Sequence, residues 1–312
     1  MQPDVPLSNA IPQQMAFPSE PVGEGSFGVV SRLQAPDGKV VALKVARDAA
    51  GASASLRHEY ALLRSLCIEP DGTACPFVPL VYGLLTDAST QSPRLALAMA
   101  YVEGQSLYDW LLTCLPTVQD LEIITGHLAR LLCWLEQQHV LHHDLSPANI
   151  MRRPDGSLVL IDFGLAERVC DAGWGAQSRG TPGYLAPERE RGEAVTFQSD
   201  LYSVGCCLTH LLCSLEETEP LVLLHCWKEV IEAMLDPIPW RRIDVRCLQQ
   251  AHRRLCHLRG ALPRHRVGWL LRWRISWTWW RCQSILRQSR REMIWHIISL
   301  FRSLTIFLES VR

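Results

Sequence analysis

Lys44 is one of only three lysines in the 312-residue chain, and it lies in the apolar run Val40-Val41-Ala42-Leu43-Lys44-Val45, sixteen residues after Gly28. Gly23, Gly25 and Gly28 precede it in the spacing Gly-x-Gly-x-x-Gly. Three such glycines let a backbone approach a phosphate group without side-chain obstruction, and an ammonium on the following strand adds a point charge. The spacing alone also fits a dinucleotide-binding turn. There the glycines follow a strand and open a helix, whereas here Val29-Val30-Ser31-Arg32-Leu33 reads on as a strand. Further along, Asn149 stands five positions after Asp144, and Asp162 eighteen after it. Phosphoryl transfer asks little covalent chemistry of a protein, being mainly in-line positioning and neutralisation of charge, so two carboxylates with different tasks are the minimum. Magnesium takes such oxygen ligands, completed by phosphate and water. Taken alone, Asp144 would be a helix-capping or turn aspartate.

These residues sit inside longer motifs. His142-His143-Asp144-Leu145-Ser146-Pro147-Ala148-Asn149 is followed by a turn at Pro154-Asp155-Gly156, an apolar strand from Leu158 to Ile161, and Asp162-Phe163-Gly164. Then come Gly180-Thr181-Pro182-Gly183-Tyr184-Leu185-Ala186-Pro187-Glu188, Ser199-Asp200-Leu201-Tyr202-Ser203-Val204-Gly205, and Asp236-Pro237 with Arg241-Arg242. In this order the motifs resemble those of eukaryotic-type (Hanks-type) Ser/Thr protein kinases, from about Phe17 to Leu262, with His-His-Asp in place of His-Arg-Asp. The resemblance implies an α+β, two-lobed protein kinase fold, with a small β-rich N-lobe, a larger helical C-lobe and ATP between them. It implies ATP-dependent transfer of the γ-phosphate to Ser/Thr hydroxyls of protein substrates, with Mg2+.

Residue by residue, the resemblance makes Asp144 the base or orienting group for the acceptor hydroxyl and Glu59 the ion-pair partner of Lys44. It makes Asn149 and Asp162 the metal ligands. Gly23, Gly25, Gly28, Val30, Ala42, Lys44, Met99, Ala100 and Val102 become the ATP-binding set. Met99 guards the back of the adenine pocket, and the backbone of Ala100-Tyr101-Val102 forms the hinge. Thr181 resembles the threonine that contacts the catalytic aspartate of Ser/Thr enzymes, and Glu188 the activation-segment glutamate that pairs with a late arginine. An arginine-bearing loop typical of tyrosine kinases is absent.

Two departures change the expectations. His143 stands where regulated kinases carry an arginine that grips an activation-segment phosphate. Histidine is mostly neutral near pH 7 and offers no bidentate fork. Either activation-segment phosphorylation is dispensable or His143 is a tolerated substitution. Ser146 replaces a lysine that steadies the γ-phosphate; a hydroxyl donates a hydrogen bond but carries no charge. Asp-Leu-Ser-x-x-Asn is also similar to the catalytic loops of atypical and small-molecule kinases. Alternatives are therefore such a kinase, or a nucleotide-binding pseudokinase scaffold. The Ala-Pro-Glu segment and the Asp200 helix speak for the protein kinase, since small-molecule kinases generally lack them.

The elements that must position these groups are legible from periodicity. Pro36-Asp37-Gly38 supplies a turn before the lysine strand. Leu56, Tyr60, Leu63 and Leu66 form a helical stripe from Ser53 to Leu66, with Glu59 beside it. Phe77 to Tyr82 and Leu95 to Met99 complete the small sheet, and Val118 to His139 is a long helix. A helix through Leu212 and another from Pro220 to Leu235 reach the late arginine in 42 positions after Asp200, fewer than the family usually spends. That shortening falls on a helical subdomain that often docks protein substrates. A last amphipathic helix, carrying Val245, Leu248, Ala251, Leu255 and Leu258, is closed by Gly260 and Pro263.

Residues 1–16, rich in Pro, Gln and Asn, read as a loose leader before a kinase domain at 17–262. No signal peptide is visible, and the twelve cysteines show no CxxC pair, so reduced thiols and a cytoplasmic location are expected. The net charge of −1 conceals a division: residues 264–312 carry +8 and residues 1–263 carry −9. The C-terminal tail, 263–312, holds six of the eleven tryptophans interleaved with arginine, then Ile294, Ile297, Ile298, Phe301, Leu304, Leu308 and Val311 at helical spacing. Its longest uncharged stretch there, nine residues, is too short to span a bilayer. An amphipathic helix lying on an anionic membrane surface, at which the protein would be peripheral, stands against a helix packed on the kinase domain or a partner. Nucleic-acid binding through arginine and stacking is the weaker third reading.

Overall fold

In the computed structural model, which describes residues 14–15, 21–24, 28–35, 38–46, 51–87, 94–169, 179–215 and 221–261, the alternating β-branched segments near the N-terminus pair as a six-stranded sheet. The strands are β1 (Gln14–Met15), β2 (Pro21–Glu24), β3 (Gly28–Gln34), β4 (Val40–Ala46), β5 (Val81–Asp87) and β6 (Leu95–Ala100), in the spatial order β1-β5-β6-β4-β3-β2. Pairing is antiparallel except for β1, which runs parallel to β5. A Cβ on Gly28 would meet the Val45 carbonyl oxygen at 2.5 Å, so the close approach of β3 to β4 requires glycine there whatever binds above it. On one face Val41, Leu43, Leu85 and Ala98 form a buried cluster with Leu33 and Tyr82. The helix α1 (Ala52–Leu66) packs on β4, β5 and β6 and buries Leu56, Leu62, Leu63 and Leu66.

The strand expected at Phe77–Tyr82 begins only at Val81. Pro79 has no N–H to give to a ladder, and the Phe77 carbonyl instead accepts from the Leu160 amide at 2.8 Å. Later short strands form two small sheets: β7 (Gln105–Ser106) with β9 (Ile150–Arg152) and β10 (Leu158–Leu160), and β8 (Val140–Leu141) with β11 (Glu167–Arg168). Gly104, at φ 129°, precedes β7 where a side chain would collide with the Arg152 carbonyl.

The described residues divide into two compact units, those within 1–110, 135–143 and 147–169 forming the first and those within 111–134, 144–146 and 179–261 the second. The first holds the sheets and the second is helical, an α+β fold. The remaining helices are α2 (Leu107–Thr113), α3 (Val118–Gln137), α4 (Pro187–Glu190), α5 (Phe197–Cys213), α6 (Leu221–Met234) and α7 (Val245–Ala261). Within the second unit α5 packs on α6 and α6 on α7, burying Leu201, Val204, Leu208, Leu223, Trp227 and Leu248. Arg259 of α7 donates to Glu122 of α3 at 2.6 Å, and the His252 ring donates from Nε2 to the Glu122 carbonyl at 2.9 Å. Gly126 makes room for that ring: a Cβ there would lie 2.9 Å from it.

Helix α3 stops at Gln137, two residues short of its expected end, and His139 turns to φ 54°. Among the described residues every cysteine is free, with Cys67, Cys75 and Cys207 buried; burial raises the Cys75 thiol to about 12. No helix of the described residues is long and apolar enough to cross a membrane. Gly25, the Pro36-Asp37 turn, Ser178, most of the leader and the tail after Leu262 lie outside the described residues.

Candidate active site

Strand register gathers the ATP-binding candidates. Lys44 pairs across the ladder with Val30 on β3 and Leu97 on β6, and Ala42 pairs with Met99. Because side chains alternate, Val30, Ala42, Lys44 and Met99 share one face of the sheet, opposite the Val41 and Leu43 cluster. At the edge of that face the Ala100 amide donates to the Leu80 carbonyl at 2.8 Å and the Tyr101 amide to the Val40 carbonyl at 3.2 Å. Val102 follows, buried.

Lys44 is 3% exposed, and its Nζ donates to both carboxylate oxygens of Glu59 at 2.8 Å and to Asp162 Oδ1 at 2.7 Å. Glu59, fully buried on α1, also accepts from the Phe163 amide at 3.2 Å. Two further groups on α1 reach the same segment: Ser55 Oγ donates to the Gly164 carbonyl at 3.4 Å, and His58 Nε2 donates to the Ala166 carbonyl at 2.8 Å. Phe163 is buried with its ring edge-on to His142 at 4.8 Å, and Asp162 holds φ 62°. Burial disfavours the Lys44 ammonium, but the Glu59 and Asp162 charges outweigh it and leave its pKa above the ordinary lysine value. Burial drives the Glu59 carboxyl up despite Lys44. For Asp162 burial pushes up as well, yet the Lys44 charge and hydrogen bond hold it below the usual carboxylate range. Asn149, half-buried, is tied to this segment through its carbonyl, which accepts from the Ile161 amide at 2.9 Å.

In the second unit Asp144 Oδ1 accepts from the Thr181 amide at 2.7 Å and from the Thr181 hydroxyl at 2.6 Å, and that hydroxyl lies 3.5 Å from Ser146 Oγ. Glu188, 1% exposed at the start of α4, is held bidentately by Arg242 at 2.7 Å on each oxygen and by Ser199 Oγ at 2.8 Å. Burial raises its carboxyl, but the Arg242 hydrogen bonds prevail and place it below the ordinary range. Arg242 also donates to the carbonyls of Asp236 and Gln198 at 2.7 and 2.8 Å, and its guanidinium lies 4.8 Å from the Tyr202 ring centre. Of the two adjacent arginines, Arg242 is the one that pairs, while Arg241 is exposed.

Some partners carry no sequence signal. Ser199, three residues into α5, is recognisable only from the Thr196–Ser199 capping box once the helix start is known. His143 is 3% exposed, has φ 66°, and its Nε2 lies 2.8 Å from Glu167 Oε1 on β11.

The sequence model of the family described as Protein kinase domain matches residues 18–221. Serine/threonine-protein kinase PknB of Mycobacterium leprae is 33% identical over 142 residues, 44% of this chain and 23% of the relative. The PknB of Mycolicibacterium smegmatis is 34% identical over 143 residues, 44% and 23% of the two chains. A probable serine/threonine-protein kinase PknB of Bifidobacterium longum is 36% identical over 135 residues, 41% of this chain and 20% of that one. The chain thus spans less than a quarter of the length of these curated relatives.

Proposed function

This chain belongs to the protein kinase family, and we propose that it is an ATP-dependent Ser/Thr protein kinase, transferring the γ-phosphate of ATP to hydroxyls of protein substrates. The observation that carries this reading is the buried bridge from Lys44 to both Glu59 and Asp162, at 2.7–2.8 Å. A lysine clamped between two carboxylates has a fixed direction, so its charge is presented to the α/β-phosphates at no cost in ordering the side chain.

Gly23, Gly25 and Gly28 cover the phosphates with backbone alone. Val30, Ala42 and Met99 line the adenine side of the Lys44 face, and the Ala100 and Val102 main chain meets the adenine edge. The Ala100 and Tyr101 amides already have protein partners, so the donor to the base falls to Val102. Asp162 and Asn149 offer the hard oxygen atoms that magnesium prefers, and would hold it. The metal, when bound, neutralises charge on the transferring phosphoryl group. Asp144 orients the acceptor hydroxyl and takes up its proton, and the two Thr181 donors on Oδ1 set the carboxylate's rotation. Ser146 contributes a hydrogen bond where a charge is customary. The Glu188–Arg242–Ser199 cluster favours the protein kinase reading over a small-molecule kinase, because it fixes the end of the segment that carries Thr181.

The test is incubation of the purified full chain with labelled ATP and magnesium, with a mixture of general Ser/Thr acceptor proteins, detecting phosphoprotein and phosphorylated metabolites separately. Label on protein serine or threonine, reduced about 10³-fold or more in Asp144→Asn, is the expected result. Label on metabolites alone, or equal rates in wild type and Asp144→Asn, refutes it.

A further inference from the structure

His143 carries a backbone conformation that non-glycine residues avoid, φ 66°, and it directly precedes the proposed base Asp144. Such strain persists only where surrounding groups over-determine it. One group that engages its side chain is Glu167. Its Oε1 lies 2.8 Å from His143 Nε2, and the imidazole is otherwise enclosed, at 3% exposure. Glu167 is itself pinned: its backbone pairs with Leu141, and the adjacent Arg168 donates to the Gln138 carbonyl at 3.2 Å and to Ser65 Oγ at 2.8 Å. A carboxylate 25% exposed, on a two-residue strand with both neighbours tied down, adds little as an ion pair but much as a fixed acceptor.

We propose that Glu167 is a positioning residue for phosphotransfer: by holding the His143 ring it sets the backbone from which Asp144 is presented. The inference rests on the kinase reading for its kinetic consequence and on the His143 geometry for its structural one. Removing the acceptor releases the ring, lets residue 143 leave the left-handed region, and displaces Asp144 without touching the ATP-binding groups.

The full-length chain and Glu167→Ala and Glu167→Gln are compared by steady-state kinetics and by amide hydrogen exchange over residues 142–146. In Glu167→Ala, kcat falls about ten- to hundred-fold, KM for ATP stays within about two-fold, and exchange over 142–146 accelerates. Glu167→Gln, whose amide oxygen still accepts from the ring, recovers most of the wild-type kcat and the slow exchange. A purely stabilising glutamate would lower the melting temperature and leave kcat of the folded fraction unchanged, which overturns the proposal. So does unchanged exchange over 142–146 in Glu167→Ala, or a Glu167→Gln variant as impaired as the alanine one. If the wild type transfers no phosphate, the kinase reading fails by itself, and the exchange measurement still decides whether Glu167 holds this loop.

Discussion

Replacing Lys44 by methionine removes a cation from between the buried Glu59 carboxylate and the half-buried Asp162 carboxylate. Three charge-assisted hydrogen bonds of 2.7–2.8 Å disappear, and Glu59 and Asp162 are left facing each other without compensation. Breaking a buried pair from one side costs about 3–5 kcal/mol when the remaining charge cannot be relieved. Here it can be relieved by protonation. Burial already holds the Glu59 carboxyl above its ordinary value with Lys44 present, so without Lys44 a carboxyl of the pair retains its proton to higher pH still. The sign follows: a group raised in the folded state stabilises most below its unfolded value, about 4.3 for glutamate, and that stabilisation is lost as pH rises towards the folded value. Between the wild-type and the variant folded values, Lys44→Met should therefore lose stability relative to wild type by about 1.4 kcal/mol per pH unit, the folded variant binding one proton that the folded wild type has released. Urea unfolding at a series of pH values from the ordinary glutamate value upward, followed by tryptophan fluorescence, measures the slope. Glu59→Gln in the Lys44→Met background should flatten it. Catalysis should fall about 10²–10³-fold, the usual loss of one preorganised charge or donor at the reacting group. Parallel pH profiles for wild type and Lys44→Met, or phosphotransfer within ten-fold of wild type, would refute the reasoning.

Arg242→Ala leaves Glu188 buried and unpaired, and should cost about 3–5 kcal/mol in urea at pH 7, with the deficit shrinking on acidification; a loss below about 1 kcal/mol contradicts the geometry. In wild type the same carboxyl lies below its ordinary value, so its contribution is present above the unfolded value and is lost as pH falls through the folded one. Ser178→Ala should keep basal phosphotransfer within a few-fold, because His143 is already engaged by Glu167; loss of nearly all activity would show that the hydroxyl or its phosphate is needed. For the tail we propose anionic membrane binding: each arginine near such a surface adds about 1 kcal/mol, screened over about 8 Å at physiological salt. Truncation after Leu262 should then abolish sedimentation with anionic vesicles while ATP binding persists. An intact protein that ignores those vesicles, or an insoluble truncated one, favours packing of the tail on the kinase domain.

What was legible in the sequence follows from how local each cause is. The β3–β4 pairing rests on a two-residue period, and Lys44 and Glu59 lie fifteen residues apart on elements whose apolar stripes declare themselves. Motif order supplied Asp144 with Thr181 and Glu188 with an arginine, contacts spanning 37 and 54 residues that no periodicity encodes. The boundary errors have steric reasons, Pro79 delaying β5 and the left-handed His139 ending α3 early. Glu167 was invisible because it reads as an ordinary glutamate between Ala166 and Arg168, and its partner lies 24 residues back on another strand's exit. The role of Gly28 was only half legible: phosphate access predicts a glycine, but the Val45 carbonyl demands one independently.

The Glu188–Arg242 bond has a consequence for how the chain is made. The ribosome synthesises Glu188 54 residues before its guanidinium partner Arg242, an interval of about 3–11 s at cellular elongation rates. Until Arg242 emerges, the segment from Thr181 to Glu188 cannot be sealed without burying a bare carboxylate. The nascent helical unit should therefore stay open to proteases and chaperones for those seconds, whereas the sheet that carries Lys44 is complete by residue 100. A slow codon placed between the two positions would lengthen the exposed interval without altering a single amino acid.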